Sequence, residues 1–251
     1  MKCWFISDTH LRHGFLDIPS DVDMVIHAGD CSNQMDSYSN EHELRSFIQW
    51  FESLSHIKHK IWIAGNHDTS IERGLIKPKE LSGYRKHWIY LHHEKVEIDI
   101  NKNLQSLINS DKKGSTLIPK ETLKIFGSPY TPTFGSGWAF NVSRQKIDKY
   151  WQQIPENLDI LITHGPPLGI LDHTECGSQG ERGSVQCGCK SLRNRVFKNQ
   201  PKFHVFGHIH NEENCQNAGI LELQGIKTKF INASVVDLDY KICNNGFIID
   251  I

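Results

Sequence analysis

Along the chain, short apolar runs alternate with polar stretches rich in Gly, Pro and Asn, and five of the runs share one kind of ending. Trp4–Ile6, Met24–Ile26, Ile61–Ile63, Ile160–Ile162 and Phe203–Phe206 are dense in β-branched and aromatic residues, then stop at Gly or a polar turn. Runs this short and this uniformly apolar predict buried strands. Strands are expected near 2–7, 23–28, 60–64, 122–126, 159–163 and 203–206, and Lys227–Ile231, Val235–Leu238 and Gly246–Ile251 also read as strands. Elsewhere the period changes. Leu44, Phe47, Ile48, Phe51 and Leu54 recur at three- and four-residue spacing, which predicts an amphipathic helix over 40–55 that Asn40 or Ser39 could cap. Further helices are expected near 143–152 and 188–198. Residues 101–120 read as an excursion between strands and 171–187 as a Gly-rich loop near a pocket, and either could act as a lid.

Composition narrows the class. At 251 residues and 38% hydrophobic content, the chain can bury one substantial core, and a single domain over 1–251 is expected. A net charge of −1 gives no global attraction for polyanions, so any affinity for phosphate must be local. Nonspecific nucleic-acid binding is not expected, and Lys190, Arg193, Arg195, Lys198 and Lys202 read as a solvated helix face rather than a nucleic-acid track. No apolar run approaches membrane-spanning length. The first strand starts at Lys2, which is expected to leave no room for a signal or transit peptide, and cytoplasmic residence is the default. The odd total of 7 Cys, scattered along the chain, fits a reducing compartment. Cys176, Cys187 and Cys189 could be read as a structural zinc site, but they lack paired C-x-x-C spacing, and helix packing accounts for Cys189.

The endings of the apolar runs carry the chemistry. They are Asp8-Thr9-His10, Gly29-Asp30, Gly65-Asn66-His67-Asp68, His164-Gly165-Pro166-Pro167 and Gly207-His208-Ile209-His210. In extended chain, residues two apart point the same way, so Asp8 with His10, and His208 with His210, can approach one centre. Carboxylate, amide oxygen and imidazole together favour Mn, Fe, Zn or Ni over Ca. The candidates Asp8, His10, Asp30, Asn66, His164, His208 and His210 exceed what one ion needs, which makes two divalent ions the economical reading. The remaining histidines, His13, His27, His42, His56, His59, His87, His92, His93, His173 and His204, read as surface or packed imidazoles.

The order of these motifs over residues 3 to about 234 resembles the calcineurin-like metallophosphoesterases. Thr163–Gly169, Gly127–Pro132, Gly137–Asn141 and Ile231–Ser234 resemble the metallophosphoesterase-domain-containing subgroup, which is similar to class III cyclic-nucleotide phosphodiesterases. The resemblance implies an α/β (α+β in some schemes) fold, a four-layer αββα sandwich of two mixed β-sheets flanked by helices. It implies that Asp8, His10 and His210 hold one ion, that Asn66, His164 and His208 hold the other, and that Asp30 bridges them. His67 would protonate the leaving oxygen or stabilise its charge, with Asp68 orienting the imidazole. Some animal members carry Gly where this chain has His208, so the full set here favours an active enzyme.

The implied enzyme is a phosphoric ester hydrolase in which a metal-bridging hydroxide attacks phosphorus, with manganese favoured among the metals. Cys31-Ser32-Asn33-Gln34 after Asp30 departs from the acidic residue and Arg that many phosphatases of the wider family carry there, which shifts weight from monoesters toward diesters. Small nucleotide diesters, cyclic nucleotides foremost, are the leading substrate class. Tyr130, Trp138 and Phe140 offer flat faces for a base and Asn141 an amide, although the same loop could equally be a rigid connector. A nuclease or nucleic-acid end-processing phosphoesterase is the alternative among enzymes. A metal-binding scaffold for protein contacts is the non-enzyme alternative.

Overall fold

The computed structural model describes residues 1–81, 88–100, 121–174, 185–213, 215 and 217–251. Its strands are β1 (Lys2–Ile6), β2 (Met24–His27), β3 (His59–Trp62), β4 (Trp88–Tyr90), β5 (Glu94–Asp99), β6 (Thr122–Ser128), β7 (Thr131–Pro132) and β8 (Asn141–Val142). There follow β9 (Ile160–Thr163), β10 (His173–Thr174), β11 (Val185–Gln186), β12 (Phe203–Phe206), β13 (Gly219–Glu222), β14 (Lys229–Asn232) and β15 (Phe247–Asp250). Two large sheets result, ordered β15-β1-β2-β3-β4 and β13-β14-β12-β9-β6-β5. Their central strands are parallel, while β15, β13 and β5 pair antiparallel at edges, so both sheets are mixed.

Alternation within each strand assigns its side chains to two different cores. Cys3, Phe5, Met24, Ile26, Ile61 and Ile63 of the first sheet meet Ile125, Ile160, Ile162, Val205 and Ile231 of the second. On the outer face of the first sheet, Trp4, Ile6, Val25 and Trp62 pack with Leu44, Phe47, Ile48 and Phe51 of helix α1 (Ser37–Ser53). On the outer face of the second, Phe126, Leu161, Phe206 and Phe230 pack with Trp151, Leu192 and Val196 from the helices Asp148–Trp151 and Lys190–Asn199. The molecule is thus a four-layer mixed α/β sandwich. Its strands are unbroken apolar runs because each is covered on both faces.

Several boundaries differ from the pattern. Helix α1 starts at Ser37, because Asp36 caps it by accepting the Ser39 N–H at 2.9 Å; neither Ser39 nor Asn40 is the cap, and Asn40 is fully buried. Its far end is closed by buried Lys60, whose Nζ donates to the Leu54 carbonyl at 2.9 Å. Much of 143–152 is turn rather than helix, since the Ser143 carbonyl takes both the Lys146 and Ile147 N–H, at 2.8 and 3.0 Å. Val235–Leu238 makes isolated bridges, Val236 with Ile242 and Asp237 with Asn211, instead of a strand. Strands β5 and β13 escaped notice because each is an edge strand with a half-polar alternation. The excursion at 101–120 and most of the loop at 171–187, with Cys176, lie outside the described residues.

One topological fact positions everything below. Ser7 pairs with Ser234 in an isolated parallel bridge, so β1 and β14 run the same way and the C-terminal ends of both sheets' parallel strands meet at one edge.

Candidate metal centre

Each ligand candidate sits just past one of those strand ends: Asp8 and His10 after β1, Asp30 after β2, Asn66 after β3, His164 after β9, His208 and His210 after β12. The loops must turn sharply there. Asp8, His10, Asp30 and His208 all adopt left-handed backbone, with φ of 54°, 39°, 56° and 70°. Strain at non-glycine residues persists only where surrounding bonds over-determine it, and it concentrates at functional sites. The glycines preceding Asn66 and His208 have a separate reason. A Cβ on Gly65 would strike the Asp30 carboxylate, and one on Gly207 would strike that of Asp8.

Ligand atoms converge from both sheets. Three groups have their donor atoms within 4.8 Å of one another: Asp8, His10 and His210; His10, Asp30 and His67; Asp30, His164 and His208. The Nε2 atoms of His10 and His210 lie 3.0 Å apart, and His164 Nε2 lies 2.9 Å from Asn66 Oδ1. Asp30 Oδ2 stands between the two clusters, 3.8 Å from His10 Nε2 and 3.3 Å from His164 Nε2. The Asp8 carboxylate also accepts the His208 main-chain N–H, at 3.0 Å to each oxygen.

Outer hydrogen bonds decide which way the imidazoles face. His10 Nδ1 bonds the Ser32 carbonyl at 2.9 Å and His164 Nδ1 the Ala28 carbonyl at 3.0 Å. A carbonyl only accepts, so each Nδ1 carries the proton and, in the neutral ring, each Nε2 turns a lone pair inward. Lone pairs of two imidazoles, an amide oxygen and a carboxylate then face one another without intervening protons, an arrangement that a cation relieves. The donor set therefore fits divalent transition metals.

Electrostatics agree with that fit at His10 and His208, whereas His164 must first give up a proton. Burial holds the His10 imidazole well below its ordinary value and pushes His208 down to about 3, so both stay neutral and able to ligate. Burial acts on His164 in the same direction, but the Asp30 carboxylate against it outweighs this and raises it to about 9. For Asp30 burial opposes ionisation, yet the imidazoles of His164 and His67 win and hold its carboxyl well below the usual range.

His67 belongs to one of the three donor groups, with His10 and Asp30. Its Nε2 is 4.0 Å from Asp30 Oδ2, its Nδ1 bonds the Asn33 carbonyl at 3.0 Å, and its main-chain N–H donates to Asp30 Oδ1 at 2.8 Å. Asp68 does not orient this ring. Its carboxylate instead accepts the N–H groups of Gly65, Ser32, Asp30 and Cys31 at 2.7 to 3.1 Å and the Ser32 hydroxyl at 2.8 Å. Fully buried, it staples the Asp30 loop to the Asn66 loop.

The aromatic loop needs correction as well. Trp138 reaches the cluster, its ring 4.6 Å from that of His67. Phe140 is 3% exposed and belongs to the core under α1, so it offers no open face. Tyr130 packs on Tyr150 at 4.2 Å, and Asn141 spends its amide on Thr131, Ala139 and Phe134 within the loop. Two bordering aromatics had escaped the motif reading. Phe134 lies 4.9 Å from His208, and Tyr240 lies 4.7 Å from His10 and 5.0 Å from His210. Tyr240 sits at φ 61° in a turn remote in sequence from every motif, and nothing local to it signals the site.

Cys189 is buried at the start of the helix Lys190–Asn199, where its Sγ takes the Trp151 Nε1–H at 3.3 Å. Two histidines read as packed are buried under the ligand loops: His27 bonds Thr9 at 3.0 Å and His204 bonds Thr163 at 2.9 Å.

The strand-end His/Asp cluster on this sandwich is that of a metal-binding phosphoesterase. A family model described as calcineurin-like phosphoesterase matches residues 1–212, and the chain belongs to that family. It is 34% identical to human "Metallophosphoesterase domain-containing protein 1" over 249 residues, 98% of this chain and 69% of the relative. It is also 34% identical to "UPF0046 protein C25E10.12" of Caenorhabditis elegans, covering 98% of this chain and 79% of that one. One solved crystal structure shares the fold, with a TM-score of 0.55 at 13% identity over 95% of this chain and 91% of the other. Among the described residues, no helix is long and apolar enough to cross a membrane.

Proposed function

We propose that this protein is a dinuclear-metal phosphodiesterase that hydrolyses small nucleotide diesters, with cyclic nucleotides the leading class. The observation that carries the reading is the convergence of imidazole, amide and carboxylate lone pairs at the edge where the sheets meet. Asp8, His10 and His210 would hold one ion and Asn66, His164 and His208 the other. Asp30, with one oxygen between His10 and His164, would serve both. Mn is the favoured ion of the proposal, and Fe, Zn or Ni fit the same donor set. Bound there, the ions would supply a water of lowered pKa and positive charge for the phosphoryl oxygens.

The rest falls to protein side chains. His67 presents Nε2 beside Asp30 and is placed to give a proton to the leaving oxygen, while its Nδ1 is held by the Asn33 carbonyl. Asp68 keeps the Asp30 and Asn66 loops together. The stretch Cys31–Gln34 brings no guanidinium to clamp a dianionic monoester, which supports diesters. Trp138, Phe134 and Tyr240 border the centre with flat rings suited to a base. The reading takes residues 1–251 as one domain, and the free thiols of Cys3, Cys31, Cys189 and Cys243 suit the cytoplasm.

Metal analysis of the manganese-saturated protein, followed by turnover of a bis-aryl and a mono-aryl phosphate, tests the proposal. About two ions per chain and faster diester cleavage are expected. A preference for the monoester would reassign the substrate class, and a protein that takes up only trace metal would remove the enzyme reading altogether.

A further inference from the structure

Helix α1 carries an apolar stripe that explains its packing, but two polar residues on it are buried without belonging to that stripe. Glu43 is 8% exposed and Asn40 fully buried, one turn apart. A buried carboxylate must be satisfied, and Glu43 is satisfied in a directed way. The same oxygen, Oε2, accepts the N–H of Asn33 at 2.7 Å and of Gln34 at 2.9 Å. The Gln34 N–H and the Asn33 carbonyl are the two ends of one planar peptide group. That carbonyl is the acceptor of His67 Nδ1 at 3.0 Å.

We propose that Glu43 is a positioning residue for His67, acting through the single peptide group that joins Asn33 to Gln34. The carboxylate pulls on the N–H end of the amide, polarises it, and makes its oxygen a stronger and better fixed partner for the imidazole. Asn40 braces the adjoining peptide group of Gln34 and the main chain of His67. Its Nδ2 donates to the carbonyls of Gln34 at 2.6 Å and His67 at 2.7 Å, and its Oδ1 accepts the Ser70 N–H at 2.9 Å. With its main-chain N–H held by Asp30 at 2.8 Å, the His67 ring has its remaining freedom in side-chain rotation, which the Asn33 carbonyl removes. The direction of Nε2 toward a leaving oxygen is then set from α1, a helix that contributes no ligand candidate. The proposal rests on the assignment of His67 to the leaving group.

The test compares Glu43→Ala, Glu43→Gln, His67→Ala and the double variant Glu43→Ala/His67→Ala, all checked for metal content. Two diesters serve as substrates, a bis(p-nitrophenyl) phosphate that needs little help in departing and a 2′,3′-cyclic nucleotide whose leaving group is an alkoxide. Glu43→Ala should lower kcat for the cyclic nucleotide about 10- to 100-fold, leaving the aryl kcat and both KM values within about twofold. Glu43→Gln keeps a side-chain oxygen for the two N–H groups and should recover most of the loss. In the His67→Ala background, Glu43→Ala should cost nothing further; additive losses would show a merely structural role.

A second readout needs no activity. In the zinc-loaded protein the His67 Nδ1 proton, held by a carbonyl, should give a slowly exchanging NMR resonance. It should vanish in Glu43→Ala and persist in Glu43→Gln. An unchanged resonance in Glu43→Ala overturns the proposal. If Glu43→Ala does not fold, Glu43→Asp, one methylene short, takes its place under the same criteria. If His67→Ala leaves turnover of both substrates intact, the role given to His67 fails, while the resonance still decides whether Glu43 holds its ring.

Discussion

The side chains of the strand-end loops and those that the loop from 130 to 142 turns toward the centre are held by different forces. Around the ligand candidates, directional hydrogen bonds fix nearly every polar atom: one carboxylate, Asp68, ties four main-chain N–H groups, and three imidazoles are aimed by carbonyls. On the rim, the loop backbone is also hydrogen-bonded, with the Phe140 N–H on Glu72 at 2.7 Å, but the side chains that border the centre touch by ring packing. Phe134 is 50% exposed and leans on Trp138 at 5.6 Å, and Trp138 leans on His67. Directional bonds lose strength quickly with angle, whereas packed rings slide at little cost. The contrast teaches that the chemistry is built rigidly and the recognition surface loosely, so the two should fail differently when altered.

The largest effect should come from Asp30→Asn, which removes the shared carboxylate. Turnover should fall below detection and bound metal to one ion per chain or fewer, by elemental analysis. Asp68→Ala comes next. It strands buried N–H groups of Asp30, Cys31, Ser32 and Gly65, and a loss on the order of 3–5 kcal/mol is expected from denaturant unfolding. If stability holds and only turnover falls, Asp68 would serve His67 after all. His67→Ala should keep its metals and lose about 10²–10⁴ in kcat toward a diester with an alkoxide leaving group, and far less toward an aryl diester.

A smaller effect tests the electrostatics. With its value raised to about 9, His164 of the metal-free protein is protonated at neutral pH and must release that proton to ligate. Metal affinity, followed by titration calorimetry, should weaken about tenfold for each pH unit below 9 through this proton. The stability that His164 and Asp30 give each other without metal should run the opposite way, present below the ordinary imidazole range and lost as pH rises through about 9. The smallest effect belongs to the rim. Trp138→Ala and Tyr240→Ala should raise KM for a nucleotide about 3- to 10-fold and leave kcat nearly unchanged, the size expected of one aromatic contact. A collapse of kcat in either variant would place the rim inside the rigid machinery and end the comparison.

The cluster was legible because its residues come in local pairs. Asp8 with His10 and His208 with His210 are readable at a spacing of two, and each ending announces itself by terminating an apolar run. The central strands were legible for a related reason, since strands covered on both faces cannot hide their apolar composition, while their stacking in four layers was implied by the family resemblance. What escaped depends on distance. Tyr240 approaches His10 across 230 positions, Glu43 reaches the His67 ring through another residue's backbone, and β5 and β13 are edge strands whose pattern is half polar. Phe140 and Trp138 look alike in sequence, two residues apart in one loop, yet one is core and the other borders the centre.

Residue chemistry and short-range periodicity alone pointed to the residues that could hold metal and to the buried central strands. They did not show that the Asp68 carboxylate would staple two loops together through main-chain N–H groups rather than meet the His67 ring. That distinction arises where backbone N–H groups from distant loops converge on one oxygen, and a linear chain carries no signal of how its own backbone will be satisfied once folded.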